Sequence, residues 1–126
     1  MSKIISFEER PWGTFQVLSA TKENVGGKKA DIVIKKIVVN PEKRLSLQSH
    51  TSRTENWYFV SGYGEATVAD NKISVKAGES ITIPMNTKHR ISNNATKTPL
   101  VFIETSTGDF DEADIIRYED DYGRVS

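Results

Sequence analysis

Short runs rich in Val, Ile, Thr and aromatic residues, each closed by turn chemistry, follow one another along nearly the whole chain. That punctuation restricts the fold more than any other feature. Residues 14–18, 32–39, 45–50, 57–61, 65–68, 72–75, 80–83, 89–92 and 100–105 each predict a strand. Asn40-Pro41, Ser61-Gly62, Asp70-Asn71, Ala77-Gly78 and Asn93-Asn94 separate them. The Asp70-Asn71 pair between alternating runs predicts a tight hairpin. Many short antiparallel strands at regular spacing imply an all-β sandwich or jelly-roll barrel whose mouth can hold a ligand. The exception is Asp111-Glu112-Ala113-Asp114, where acids suited to a helix start predict a short C-terminal helix. There is no internal repeat, linker or low-complexity tract, so residues 1–126 read as a single domain able to bury one core.

Composition narrows the function by exclusion. Seventeen basic residues balance seventeen acidic ones, which leaves no electrostatic footprint for nucleic acid or an acidic membrane. With no cysteine there are no disulfides, thiolate ligands or cysteine nucleophile. The start, MSKIISFEERPWG, lacks the long apolar run of a signal peptide, and no segment approaches membrane-spanning length. The expected location is the cytoplasm.

Both histidines of the chain fall in a set with one amide and one carboxylate: Gln48, His50, Glu55 and His89. Two neutral imidazoles, a carboxylate and an amide oxygen suit a divalent metal. Gln48 and His50 are two apart, so on one strand they share a face. Glu55 would fall on the opposite face of a straight strand, but the polar stretch Thr51-Ser52-Arg53-Thr54 can turn the chain and aim it back inward. His89 comes from the distant run GESITIPMNTKHRISN, turned at Pro84-Met85-Asn86. Two satisfied histidines and an ordinary hairpin are the plainer alternative.

These residues resemble the two motifs of the cupins. The second is complete in outline as Gly78, Pro84, His89 and Asn93, with Asn86 where a glycine is common, and Asn tolerates the positive φ of such a turn. The first has Gln48, His50, Glu55 and Gly62, with glutamine in place of a first histidine. A closer resemblance is to the type II phosphomannose isomerase domain, found at the C-terminus of bifunctional mannose-1-phosphate guanylyltransferase/mannose-6-phosphate isomerases. It is carried by ERPWGTFQVL, KKIVVNPEKRLSLQSH, Arg53-Thr54-Glu55-Asn56-Trp57, VSGYGEATV, IPMNTKHRISN, TPLVFIETSTGDF and DIIRYEDDYGR, in order and without large gaps. The chain departs from that family at Thr51-Ser52 and Asn56, where histidines are usual. It departs again at Gly62-Tyr63-Gly64, and in a longer Gly- and Lys-rich loop, TKENVGGKKA. These departures bear on substrate identity, since they surround the ligands.

The resemblance implies a cupin jelly roll with a divalent ion at Gln48, His50, Glu55 and His89, zinc being the first choice and cobalt, manganese, nickel or iron the alternatives. It implies interconversion of mannose 6-phosphate and fructose 6-phosphate, a homodimer, and work beside a separate mannose-1-phosphate guanylyltransferase. Such a reaction needs a base beyond the ligands. Glu104 interrupts the apolar strand LVFIET, where an inward carboxylate is costly without a role, although an ion pair with a core-lining Lys or Arg would also account for it. Arg53, in the turn between His50 and Glu55, is a candidate for catalysis and for the substrate phosphate. Lys88, Arg90 and Arg124 are the other candidate phosphate contacts, though strand alternation aims Lys88 and Arg90 away from His89. Two other classes fit: a non-catalytic sugar- or sugar-phosphate-binding cupin, and a non-haem iron dioxygenase built on His50, Glu55 and His89. Gln48 as a fourth ligand argues against the dioxygenase. Trp12 predicts a packing anchor, the tail EDDYGR is expected to fold back over the sheet, and Glu42-Lys43-Arg44 reads as a solvated turn.

Overall fold

The structure, a computed structural model, describes residues 6–123, so the candidate Arg124 lies outside the described residues. The elements run β1 (Ser6–Arg10), β2 (Gly13–Val25), β3 (Lys28–Val39), β4 (Leu47–Ser49), β5 (Arg53–Ser61), β6 (Tyr63–Val68), β7 (Asn71–Lys76), β8 (Ser80–Ile83), β9 (His89–Ser92), β10 (Leu100–Gly108) and β11 (Ile116–Glu119). They pair antiparallel in two sheets, one ordered β1-β2-β3-β10-β5-β8 and the other β11-β4-β9-β6-β7.

Period-two alternation builds the interior. On β5, Arg53, Glu55, Trp57 and Phe59 are buried while Asn56, Tyr58 and Val60 are exposed. On β10, Leu100, Phe102, Glu104 and Ser106 are buried by the same rule. Toward one end the inward residues are apolar, and Phe59, Phe102, Leu100, Val39, Ile83 and Ile91 close a dry core. Toward the other end the same strands turn Arg53, Glu55 and Glu104 inward. Trp12 belongs to the apolar cluster, as an anchor should. Asn93 stitches the dry end: its amide donates to Val39 O (3.0 Å) and Thr98 O (2.9 Å), and its oxygen accepts from Ala95 N (2.9 Å).

Three local expectations need correction. Residues 111–114 form a turn, and no helix occurs among the described residues. Asp114 N does reach Asp111 O (2.9 Å), but the Asp114 carbonyl is taken by His50 and its carboxylate by Thr51 and Ser52. The chain is therefore pulled out of the helical path and enters β11. The segment TKENVGGKKA is a long hairpin, because Gly26 (φ 59°) and Gly27 (φ 83°) supply the two positive φ values of a tight two-residue turn. The β6–β7 hairpin turns at Ala69-Asp70, one residue earlier than expected.

The tail does fold back. Arg44 donates twice to the Asp121 carboxylate (2.7 and 2.9 Å) and Tyr122 Oη donates to Arg44 O (3.2 Å), so the 42–44 turn is a docking point and more than a solvated bend. Asn86 takes the positive φ its place in the turn demands (56°), and its N–H donates to His50 O (2.8 Å).

Candidate functional site

Four segments converge inside the polar end. Gln48 and His89 are directly opposed neighbours on β4 and β9. The bend after β4 carries His50, and β5 starts early enough for Glu55 to point inward beside it. His50 Nε2 lies 3.3 Å from Glu55 Oε2, and His89 Nε2 lies 3.8 Å from Glu55 Oε1. One ligand atom from each of these three residues lies within 4.8 Å of the others. The fourth, Gln48, keeps its oxygen within reach of Ser46 Oγ (3.4 Å).

The imidazoles are held in the ligand tautomer. His50 Nδ1 donates to Asp114 O (2.7 Å) and His89 Nδ1 donates to Thr87 O (2.9 Å), which leaves both Nε2 atoms as lone pairs aimed at Glu55. Burial lowers both histidine pKa values against the opposing pull of Glu55, so both rings are kept neutral. His89 Nε2 is fully buried without a hydrogen-bond partner. Such an orphaned lone pair is costly, and a cation between the two rings and the carboxylate removes the cost. The residues present therefore fit a divalent ion.

Glu55 has further partners. Trp57 Nε1 donates to its Oε1 (3.0 Å) and Arg53 Nε to its Oε2 (3.2 Å), all with little access to water. Burial alone would raise the Glu55 pKa, but the charge the two histidines carry once protonated, a hydrogen bond with Glu104 and the Arg53 charge together hold it below the ordinary value. Glu104 goes the other way. Burial, the Glu55 charge and their shared hydrogen bond raise it well above the ordinary value, and Lys35 and Arg53 offset this only in part. Of the two carboxyls, Glu104 therefore holds its proton more tightly than Glu55.

These groups line a cavity of about 120 Å³, to which Gln48, His50, Arg53, Glu55 and Glu104 all contribute. Lys88 and Arg90 do not: Lys88 Nζ sits over the Tyr118 ring (4.2 Å), while Arg90 donates to Leu45 O (2.9 Å) and Glu119 Oε1 (3.2 Å). Both face away from His89, as alternation requires, and Arg90 fastens β11 to the barrel. The cations on the cavity are Arg10, Lys35, Arg53 and Arg117. Lys35 was open to sequence reasoning, since it shares a face with Val33, Ile37 and Val39 and is an inward lysine by the same logic as Glu104. Trp57, two residues beyond Glu55, was equally accessible. Nothing local marks Asp114 or Glu112, which reach the site only through the path of the tail.

Over residues 3–120 the chain matches the family model described as mannose-6-phosphate isomerase C-terminal. The chain belongs to that family. Among curated relatives it is 37% identical over 117 residues to the xanthan biosynthesis protein XanB of Xanthomonas campestris pv. campestris, covering 92% of this chain and 23% of that protein. It is 39% identical over 118 residues to the alginate biosynthesis protein AlgA of Pseudomonas putida, covering 93% of this chain and 22% of that one. The chain thus spans less than a quarter of the length of the curated relatives it matches. Among solved structures, a cupin-2 domain from Rhodospirillum rubrum superposes with a TM-score of 0.60 at 20% identity, covering 90% of this chain and 78% of that one. This chain has the cupin barrel fold, with His50, Glu55 and His89 grouped at its polar end.

Proposed function

We propose that this domain interconverts mannose 6-phosphate and fructose 6-phosphate, using a divalent ion, zinc in the first instance, held by Gln48, His50, Glu55 and His89. The family match and the cation-lined cavity support the substrate class. The observation that carries the reaction is Glu104, a buried carboxyl group outside the ligand set yet hydrogen-bonded to the ligand Glu55. A site that only bound sugar would bear the cost of burying a second carboxyl without using it.

When bound, the ion supplies positive charge that polarises the substrate carbonyl and stabilises the developing enediolate. Glu104 in its ionised form takes the C2 proton of the aldose and returns it to C1, while the C2 hydroxyl proton passes to the C1 oxygen. A carboxyl whose pKa is raised by burial is a stronger base once ionised than an ordinary one. Arg53 steadies the negative charge on Glu55 and faces His50 Nε2 at 3.3 Å, so it positions the ligands from the cavity wall. Trp12, Phe15 and Ile37 add apolar surface to the cavity, which limits water around the reacting carbons. The name of a further relative, the mannose-1-phosphate guanylyltransferase ManC of Salmonella typhimurium, 36% identical over 117 residues, supports work beside a guanylyltransferase. The homodimer rests on the cupin resemblance alone.

The test is an isomerase assay on metal-stripped protein and on protein reloaded with zinc, cobalt or manganese. The expected result is metal-dependent fructose 6-phosphate formation that is lost in His50→Ala. Metal uptake with no turnover by any form would overturn the reaction and leave a sugar-phosphate-binding cupin.

A further inference from the structure

Three cations of the cavity lining alternate with two phenyl rings. Arg10 lies over the Phe15 ring at 5.0 Å, and Lys35 Nζ lies over the same ring at 4.8 Å. Lys35 Nζ is also 4.9 Å from the Phe110 ring, which Arg53 covers from another direction at 4.4 Å. The outer two already have carboxylate partners, Arg10 with Glu8 at 2.8 Å and Arg53 with Glu55 at 3.2 Å. Lys35 is the middle member, with a side chain only 9% exposed, and its one ion-pair partner among the described residues is Glu112 at 3.0 Å. Glu112 is 66% exposed. An inward lysine is thus neutralised by a carboxylate that itself stands mostly in water.

Glu112 rides on the segment 109–115 between β10 and β11, which contributes Glu112 and Ile115 to the cavity lining. Gly108 lets the chain pass tightly beside Ser52, where a Cβ would lie 2.3 Å from Ser52 O. Asp109 N then donates to Ser52 O (2.8 Å) and Phe110 N to Asp31 Oδ2 (3.0 Å). At the far end Asp114 binds Thr51 and Ser52. Between these anchors Arg53 Nη1 donates to Asp111 O (3.3 Å), and the Glu112 carboxylate has Lys35 as its one ion-pair partner among the described residues. The cavity under the segment, about 120 Å³, falls short of the roughly 300 Å³ at the lower end of small-molecule sites. A phosphate that reaches Lys35 must displace Glu112, and a pair whose carboxylate is mostly in water gives way at little cost.

We infer that Lys35, with Arg10 and Arg53 on either side, forms the subsite for the ligand's phosphate, and that Glu112 occupies it as an internal anion until a phosphate displaces it. This rests on the proposed sugar-phosphate chemistry and adds the phosphate subsite and its gate. The register agrees with it. Lys35 pairs across the sheet with Glu104, which pairs with Trp57, and Glu55 is one two-residue step further along β5. Lys35 and the metal-facing Glu55 are thus two strand spacings apart, about 10 Å, with a step of about 7 Å along the strand. An extended hexose phosphate can bridge that gap once side chains reach inward from both ends.

The test is calorimetric titration of inorganic phosphate into the wild type, Glu112→Gln and Lys35→Met at constant ionic strength. Removing the competing carboxylate should tighten phosphate binding by about twofold to fivefold, the worth of a largely exposed ion pair, and Lys35→Met should abolish it. Glu112→Gln should also tighten mannose 6-phosphate while leaving mannose unchanged. Equal phosphate affinity in the wild type and Glu112→Gln overturns the gate, and undiminished binding by folded Lys35→Met overturns the subsite. If Lys35→Met does not fold, the exposed Glu112→Gln variant decides alone. Phosphate binding governed by Glu112 without isomerisation would sink the proposed reaction and leave the subsite. Isomerisation with phosphate binding indifferent to both residues would do the reverse.

Discussion

Replacing Glu104 with Gln should make the metal-free protein more stable and the enzyme less active, and the pH dependence of the gain tests the reason. Glu104 titrates near 4.5 in the unfolded chain, and its native pKa is raised by burial and by the Glu55 charge. Below pH 4.5 both states hold the proton, and Glu104 carries no penalty. As pH rises through the interval up to the native pKa, the unfolded chain has released a proton that the native state keeps. Native stability then falls by about 1.4 kcal/mol per pH unit. Above the native pKa the loss reaches a plateau. Glutamine is nearly isosteric, and its amide N–H can replace the acid proton toward Glu55, so the variant escapes this loss. The assay is urea unfolding of wild type and variant after chelation, across pH 4 to pH 8 in steps of about half a unit. Subtracting the two curves cancels the histidine contributions. The difference should be small at the acid end, then grow in favour of the variant and level off where Glu104 ionises in the native state. A flat difference would refute the raised Glu104 pKa. In the loaded enzyme the same change should lower kcat by about a hundredfold or more if Glu104 moves the substrate proton.

Trp57→Phe removes a buried N–H donor to Glu55 and should cost about 1.5–3 kcal/mol for that bond alone, with more for the smaller ring. Metal affinity measured by chelator competition should fall by about tenfold to a hundredfold, and an unchanged affinity would mean that Trp57 does not orient the ligand. Asn93→Ala strands two carbonyls and one N–H and should cost about 3–5 kcal/mol in urea unfolding without touching the cavity. A cost below about 1 kcal/mol would show that water replaces the amide. Metal-free wild type should lose stability as pH falls below 6.5, because unfolded histidines take up protons that buried His50 and His89 refuse until their lowered native pKa values are reached. The loss should flatten in a His50→Gln, His89→Gln double variant, and an identical slope there would place its source elsewhere.

The β signals of the chain were legible because alternation and turn residues are local properties, and most expected strands fall on observed ones. The errors lie where a local preference was opposed by a distant partner. Acids at 111–114 favour a helix start, but His50, Thr51 and Ser52 claim Asp114 from more than sixty positions away. The Gly- and Lys-rich segment reads as a loop because its polarity hides a hairpin that stands clear of the core. Lys88 and Arg90 flank a ligand in sequence, yet the pleat turns both from the cavity.

The sequence by itself determined the all-β class, the family, and the convergence of Gln48, His50, Glu55 and His89, because motif spacing and strand period are written in neighbouring residues. Only the tertiary structure decided the histidine tautomers, the opposite pKa shifts of Glu104 and Glu55, and which cations face the cavity. Those depend on groups from separate strands meeting in a space where water is scarce, and no local pattern records how closely they meet.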